Sequence, residues 1–136
     1  MANKWIHPDL FDNGLGSLAT LCATKTLQLW VTKAYAVADS YSTVTVNKVA
    51  AHAVNLVAGD FAITTPGGTN NRMVTVLTKG VIFSADTGAT PDTHVALVNT
   101  TDSKVLAIWD ETGDSVIVTG EVRNVPAQTI TYQQPT

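Results

Sequence analysis

Apolar and polar side chains alternate along much of this chain, and the alternation tightens in its C-terminal half. From Arg72 onward, RMVTVLT, GVIFSAD, THVALVN, KVLAIWD, DSVIVTG and AQTITYQ carry β-branched or aromatic residues with the two-residue period of a pleated strand. Turn residues punctuate the series: Lys79-Gly80, the TTDS of 100–103, Thr112-Gly113 and Pro126. Lys79-Gly80 predicts a tight hairpin between the first two segments, and TTDS predicts a second between THVALVN and KVLAIWD. In KVLAIWD, Val105, Ala107 and Trp109 alternate against Leu106 and Ile108, so both faces of that strand are apolar.

The N-terminal half is more varied. In TLQLWVT, Leu27, Leu29 and Val31 alternate against Gln28, Trp30 and Thr32, which reads as a strand. KAYAVADSYST fits either a loop or a helical turn, and TVTVNKVAAHAVNLV reads as further β-rich segments with an Ala-rich middle. AGDFAITTPGGTNN predicts a short strand ending at Pro66-Gly67-Gly68, the clearest turn signal in the chain. Only HPDLFDNGLGSLATLCA has a helical period, with Phe11, Leu15, Leu18 and Cys22 at spacings of three and four behind Pro8 and Asp9. Gly14 and Gly16 each cost about 1 kcal/mol in a helix interior, so this helix is expected to be short and held by its packing.

The pattern therefore predicts a mainly β fold: an antiparallel β-sandwich or jelly-roll-like barrel with one short N-terminal helix. No βαβ rhythm, repeat or linker divides it, and 136 residues suit one domain. Residues 1–136 are read as that domain, with 1–8 an N-terminal arm and 127–136 a C-terminal strand and tail.

Composition narrows the function classes. Charged residues make up only 14%, and a net charge of −3 with eight scattered Lys and Arg gives no basic stripe for nucleic acid. The lone Cys22 excludes an intrachain disulfide and a Cys-rich zinc site. No apolar run is long enough for a spanning helix, and MANKWIHPD lacks the basic-then-apolar plan of a secretory leader. Synthesis in a reducing cytoplasm, with no membrane partner, is the expectation.

Candidate chemistry is sparse. Asp102 lies in a turn sequence, and Asp110, Glu111 and Asp114 surround Gly113. These acids are expected to serve turns, because the ligand order of a calcium loop is missing. His7, His52 and His94 share no ligand motif and are read as structural or surface residues. Cys22 falls on the apolar helix face, where a thiol behaves as a small hydrophobe. There is no GxSxG elbow, phosphate loop or GxGxxG, so no metal, cofactor or catalytic residue is assigned.

Three stretches carry a resemblance. DNGL (Asp12 to Leu15), the Gly-rich turn before a basic residue in TPGGTNNRMVTV, and THVALVNTTDSKVLAIW resemble a family of small phage head structural proteins, the decoration or cement proteins. That family carries a similar helix near its N-terminus and a later hairpin reading approximately Ala-x-His-Trp-Ala-x-Val-Asp, then a short turn and Leu-Leu-Ala. Here Thr93 to Asn99 occupies the hairpin, with Val95 in place of the tryptophan and Asn99 in place of the aspartate. Val105-Leu106-Ala107 follows at the expected distance, whereas Lys33 to Val57 departs from the family.

The resemblance implies a non-enzymatic virion protein on the outer head surface, a homo-oligomer (dimer or trimer) that binds and stabilises the major capsid protein lattice. Contact residues are expected in the two ends and one strand: Trp5, Ile6 and Pro8; Thr131, Tyr132 and Pro135; and Trp109. Two rival readings are a carbohydrate-binding module of a tail or adsorption apparatus, using Trp30 or Trp109, and a hydrolase with converging carboxylates.

Overall fold

The computed structural model describes residues 5–7, 14, 16–36, 39–65, 72–110 and 114–132, the side chains of Trp5, Ile6 and Tyr132 excepted. Among them, ten strands pair antiparallel throughout, in two sheets. They are β1 (Trp5–Ile6), β2 (Leu27–Thr32), β3 (Lys48–Ala51), β4 (Phe61–Thr64), β5 (Arg72–Val76), β6 (Lys79–Phe83), β7 (His94–Asn99), β8 (Lys104–Asp110), β9 (Val122–Val125) and β10 (Gln128–Tyr132). The larger sheet runs β1-β8-β7-β2-β3-β6-β9 and the smaller β10-β5-β4. Two short helices join them, α1 (Ser17–Leu21) and α2 (Tyr41–Val46). No helix among the described residues is long and apolar enough to cross a membrane.

The alternation seen in the sequence builds the core. Leu27, Leu29, Val31, Val95, Leu97 and Trp109 of the large sheet share one cluster with Phe61, Val74, Val76 and Ile130 of the small one. The two sheets therefore form an unequal sandwich, with Leu18 of α1 packed into the same cluster. The opposite, outer face of the large sheet is apolar too. There Trp30, Ala96, Val98, Val105 and Ile108 pack under Tyr35 and Val44, so α2 roofs that part of the sheet. Val44 is fully buried, which stabilises the contact by on the order of 1.5–3 kcal/mol.

Two bulges depart from strict alternation. Leu97 pairs with Ala107 and Val98 with Val105, which leaves Leu106 as an extra residue on β8. Leu106 consequently points to the sandwich core beside Ala107 and Trp109, while Val105 joins Ile108 on the outer face. The expected grouping of Val105 with Ala107 is corrected accordingly. The second bulge works the same way: Val31 pairs with Ala50 and Thr32 with Lys48, and the extra Val49 joins Ala50 in the core.

Other expectations shift. Residues 43–46 are helical rather than extended, because Ser40 caps α2 by accepting the Thr43 amide and the outer face receives Val44. Lys79-Gly80 is no turn. Both residues lie within β6 and pair with Val125 and Asn124, and the chain crosses between sheets at Leu77-Thr78. An ion pair from Lys79 to Asp60 and a 3.0 Å bond from the Leu77 amide to the Asp60 carbonyl anchor that crossover. DSVIVTG makes no ladder from Asp114 to Val118, and the strand follows it as β9. The TTDS hairpin, β2 and β10 match the reading, whereas Pro66-Gly67-Gly68 and Thr112-Gly113 lie outside the described residues. Of the predicted helix only Ser17–Leu21 is described as helical, and Cys22 caps it. The supposed arm contributes β1, paired with Ile108 and Ala107 and extended by a 2.8 Å bond from the His7 amide to the Leu106 carbonyl.

Candidate functional site

Register assembles a single apolar row across the outer face. Ile108 stands opposite Ala96, Ala96 opposite Trp30, Trp30 opposite Ala51, Ala51 opposite Ile82 and Ile82 opposite Val122. From Ile108 to Trp30 the row is buried under α2 and Tyr35. Beyond Ala51 the cover ends: Ile82 is 51% and Val122 65% exposed. Val122 lies on β9, the last strand of the sheet, with Val116 and Val118 exposed on the segment leading to it. These exposed apolar side chains stand at or beside the open edge of the large sheet.

A second row, two residues along the same strands, is polar. Asp110 stands opposite His94, and His94 opposite Thr32. His94 is 1% exposed, with the Tyr35 ring 5.9 Å away between centroids. Neither of its ring nitrogens, nor Thr32 Oγ1, has a hydrogen-bond partner among the described residues. Asp92, exposed on the loop before β7, brings Oδ1 to 3.8 Å from His94 Nδ1. Ligand atoms of Asp92, His94 and Asp110 all lie within 4.8 Å of one another. Asp114 pins the residue between two of them, accepting from the Thr93 amide at 2.7 Å and its hydroxyl at 2.8 Å.

The remaining acids behave as turn and anchoring groups. Asp102 accepts from Asn99 Nδ2 and receives Lys25 Nζ, both at 2.9 Å, closing the β7–β8 turn as expected. Hydrogen bonding from Lys25 holds its carboxyl below the ordinary carboxylate range. Asp110 departs from the turn reading, because it belongs to β8 and faces His94. Glu111 lies outside the described residues. His52 Nδ1 donates to the Gly80 carbonyl at 2.7 Å, a structural role. Burial, then the charge of Asp60, pushes the Cys22 thiol up, so it stays protonated against the core as a small hydrophobe.

Both strand tryptophans are interior. Trp30, 3% exposed, lies beneath Lys48 Nζ, which is 4.6 Å from its ring centroid, and against Tyr41. Trp109, 7% exposed, donates Nε1 to the Thr129 carbonyl at 2.9 Å. Both rings are buried in the single chain, and Trp109, expected as a contact residue, packs in the core cluster. Thr131 is exposed on β10 opposite Met73, Tyr132 ends that strand opposite Arg72, and Trp5 and Ile6 form β1. Pro8 and Pro135 lie outside the described residues.

Sequence reading missed Ile82, Val122 and Asp92. Ile82 carries a signal, an apolar residue between the inward-facing Val81 and Phe83. Asp92 carries another, its Asp-x-His spacing to His94, which places both on one face of an extended chain. A half-open cavity of about 180 Å³ lies nearby, lined by Val31, Val81, Val95 and Ile117 with Thr93 and Arg123. Arg123 is already held by Glu121 at 2.7 Å. Compared with models of protein families, with curated proteins and with solved structures, the chain matches none.

Proposed function

We propose that this chain is a non-enzymatic phage decoration protein that adheres to the major capsid protein on the outer surface of the head and stabilises that lattice. Two things support the reading: the resemblance of the DNGL, TPGGTNNRMVTV and THVALVNTTDSKVLAIW stretches, and the uncovered end of the apolar row at Ile82 and Val122. The row is the observation that carries it. A sheet whose outer face is roofed at one end and bare at the other is rigid where it must hold shape and adhesive where it meets a partner.

Burying such a strip gains roughly 25 cal/mol per Å² of apolar area, of which association entropy removes a large part. Repetition over a symmetric shell raises the effective affinity of a modest interface. The small cavity of mixed lining and the buried indoles carry no bond-making constellation in this reading.

Binding to expanded heads of the encoding phage, measured by co-sedimentation, tests the proposal. Ile82→Glu and Val122→Glu are expected to abolish head binding while leaving the unfolding temperature within a few degrees, because both side chains are already exposed. Full occupancy by both variants would remove this face from the account.

A further inference from the structure

We propose that His94, Asp92 and Asp110 form a binding site for a divalent transition-metal cation, Zn²⁺ foremost, that clasps the loop before β7 to the end of β8. The buried imidazole is the starting point. Both ring nitrogens of His94 lack partners among the described residues, and so does Thr32 Oγ1 in the same cross-strand row. An unmet buried polar group destabilises the fold, and a coordinated cation satisfies one of the two imidazole nitrogens.

The donor set selects the cation class. One imidazole nitrogen with two carboxylates suits Zn²⁺ or a neighbouring transition ion, whereas Mg²⁺ and Ca²⁺ favour all-oxygen shells. Two ligand atoms of one tetrahedral zinc stand roughly 3.4 Å apart. The His94–Asp92 separation of 3.8 Å therefore needs to close by about 0.4 Å, and the overall spread of 4.8 Å by up to about 1.4 Å. Its parts are graded for that movement. His94 is fixed under Tyr35, Asp110 ends a strand, and the exposed Asp92 can swing inward on a backbone pinned at Thr93 by Asp114.

The consequence is structural. A cation here closes the open end of the β7–β8 hairpin, opposite the TTDS turn, and neutralises two carboxylates on the outer face of the large sheet. Calorimetric titration and thermal unfolding of the full chain with ZnCl₂, against MgCl₂ and CaCl₂, test it. One Zn²⁺ is expected to bind per chain and raise the unfolding temperature, with no comparable response to Mg²⁺ or Ca²⁺. Asp92→Asn and Asp110→Asn should each weaken zinc binding by about tenfold or more. Asp92→Asn removes only an exposed carboxylate, so its fold serves as the check. In nitrogen-15 spectra the His94 ring signals should move on titration. Absence of stoichiometric binding, affinity in both variants equal to that of the unmodified chain, or unmoved His94 signals would overturn the site.

Discussion

Trp109 Nε1 donates to the Thr129 carbonyl oxygen across 2.9 Å, and this one bond ties β8 of the large sheet to β10 of the small sheet. Its ring fills the core between them, so one side chain supplies both packing and a polar anchor. Trp109→Phe keeps most of the volume and removes this hydrogen bond, and is expected to cost about 0.5–1.5 kcal/mol. Trp109→Ala should cost about 3–5 kcal/mol. Urea denaturation reads both, and an unchanged midpoint for Trp109→Phe would show that the anchor carries no stability.

Leu106 is the extra residue of the β7–β8 ladder, and its position can be tested by removal. Deleting it leaves Ala107 opposite Leu97 and Val105 opposite Val98 in a regular ladder, so the register is kept and the core loses one buried leucine. The shortened chain is expected to keep a cooperative thermal transition with its stability lowered by about 2–5 kcal/mol. Loss of that cooperative transition would show that the bulge itself is needed for the register.

Acid should weaken the crossover between the sheets. Burial raises the Asp60 carboxyl, but the hydrogen bond from Lys79, the Val57 amide and the charges of Lys79 and His52 more than reverse this and hold it below the ordinary range. A carboxylate with a lowered folded pKa contributes stability that is present above its unfolded value, about 3.9, and is lost as pH falls through the folded value. Stability is therefore expected to fall as the medium is acidified below about pH 4. Asp60→Asn should flatten that decline. An acid limb identical in wild type and Asp60→Asn would assign the loss to other groups.

Removing residues 1–7 uncovers the edge of β8, since β1 and the His7 amide occupy it. An exposed edge with apolar neighbours invites pairing with another chain. The truncated protein is expected to associate with rising concentration in sedimentation velocity, beyond any assembly of the full chain. Identical profiles for the two would show that β1 does not guard this edge.

Much of this architecture is legible in the sequence, for reasons that particular residues show. Leu27, Leu29 and Val31 declare β2 because one side of the strand is core and the alternation is unbroken through Val31. The bulges at Leu106 and Val49 are hidden, because an extra residue in an all-apolar run such as VLAIW breaks no visible pattern. β9 was missed because an edge strand with exposed Val122, Arg123 and Asn124 need not look apolar. α2 defeats propensity: its β-branched residues favour strands, yet the Ser40 cap and the seat for Val44 prevail. The His94–Asp110 pairing follows once the hairpin is folded at TTDS with its bulge, but the isolation of the His94 ring needs the third dimension.

The most direct test of the adhesive account is an image reconstruction of the intact phage particle to which the proposal assigns this chain. The account predicts density for this chain repeated over the outer shell, with Ile82 and Val122 turned against the major capsid protein. Density confined to the tail, or a shell on which that face looks outward into solvent, would contradict it.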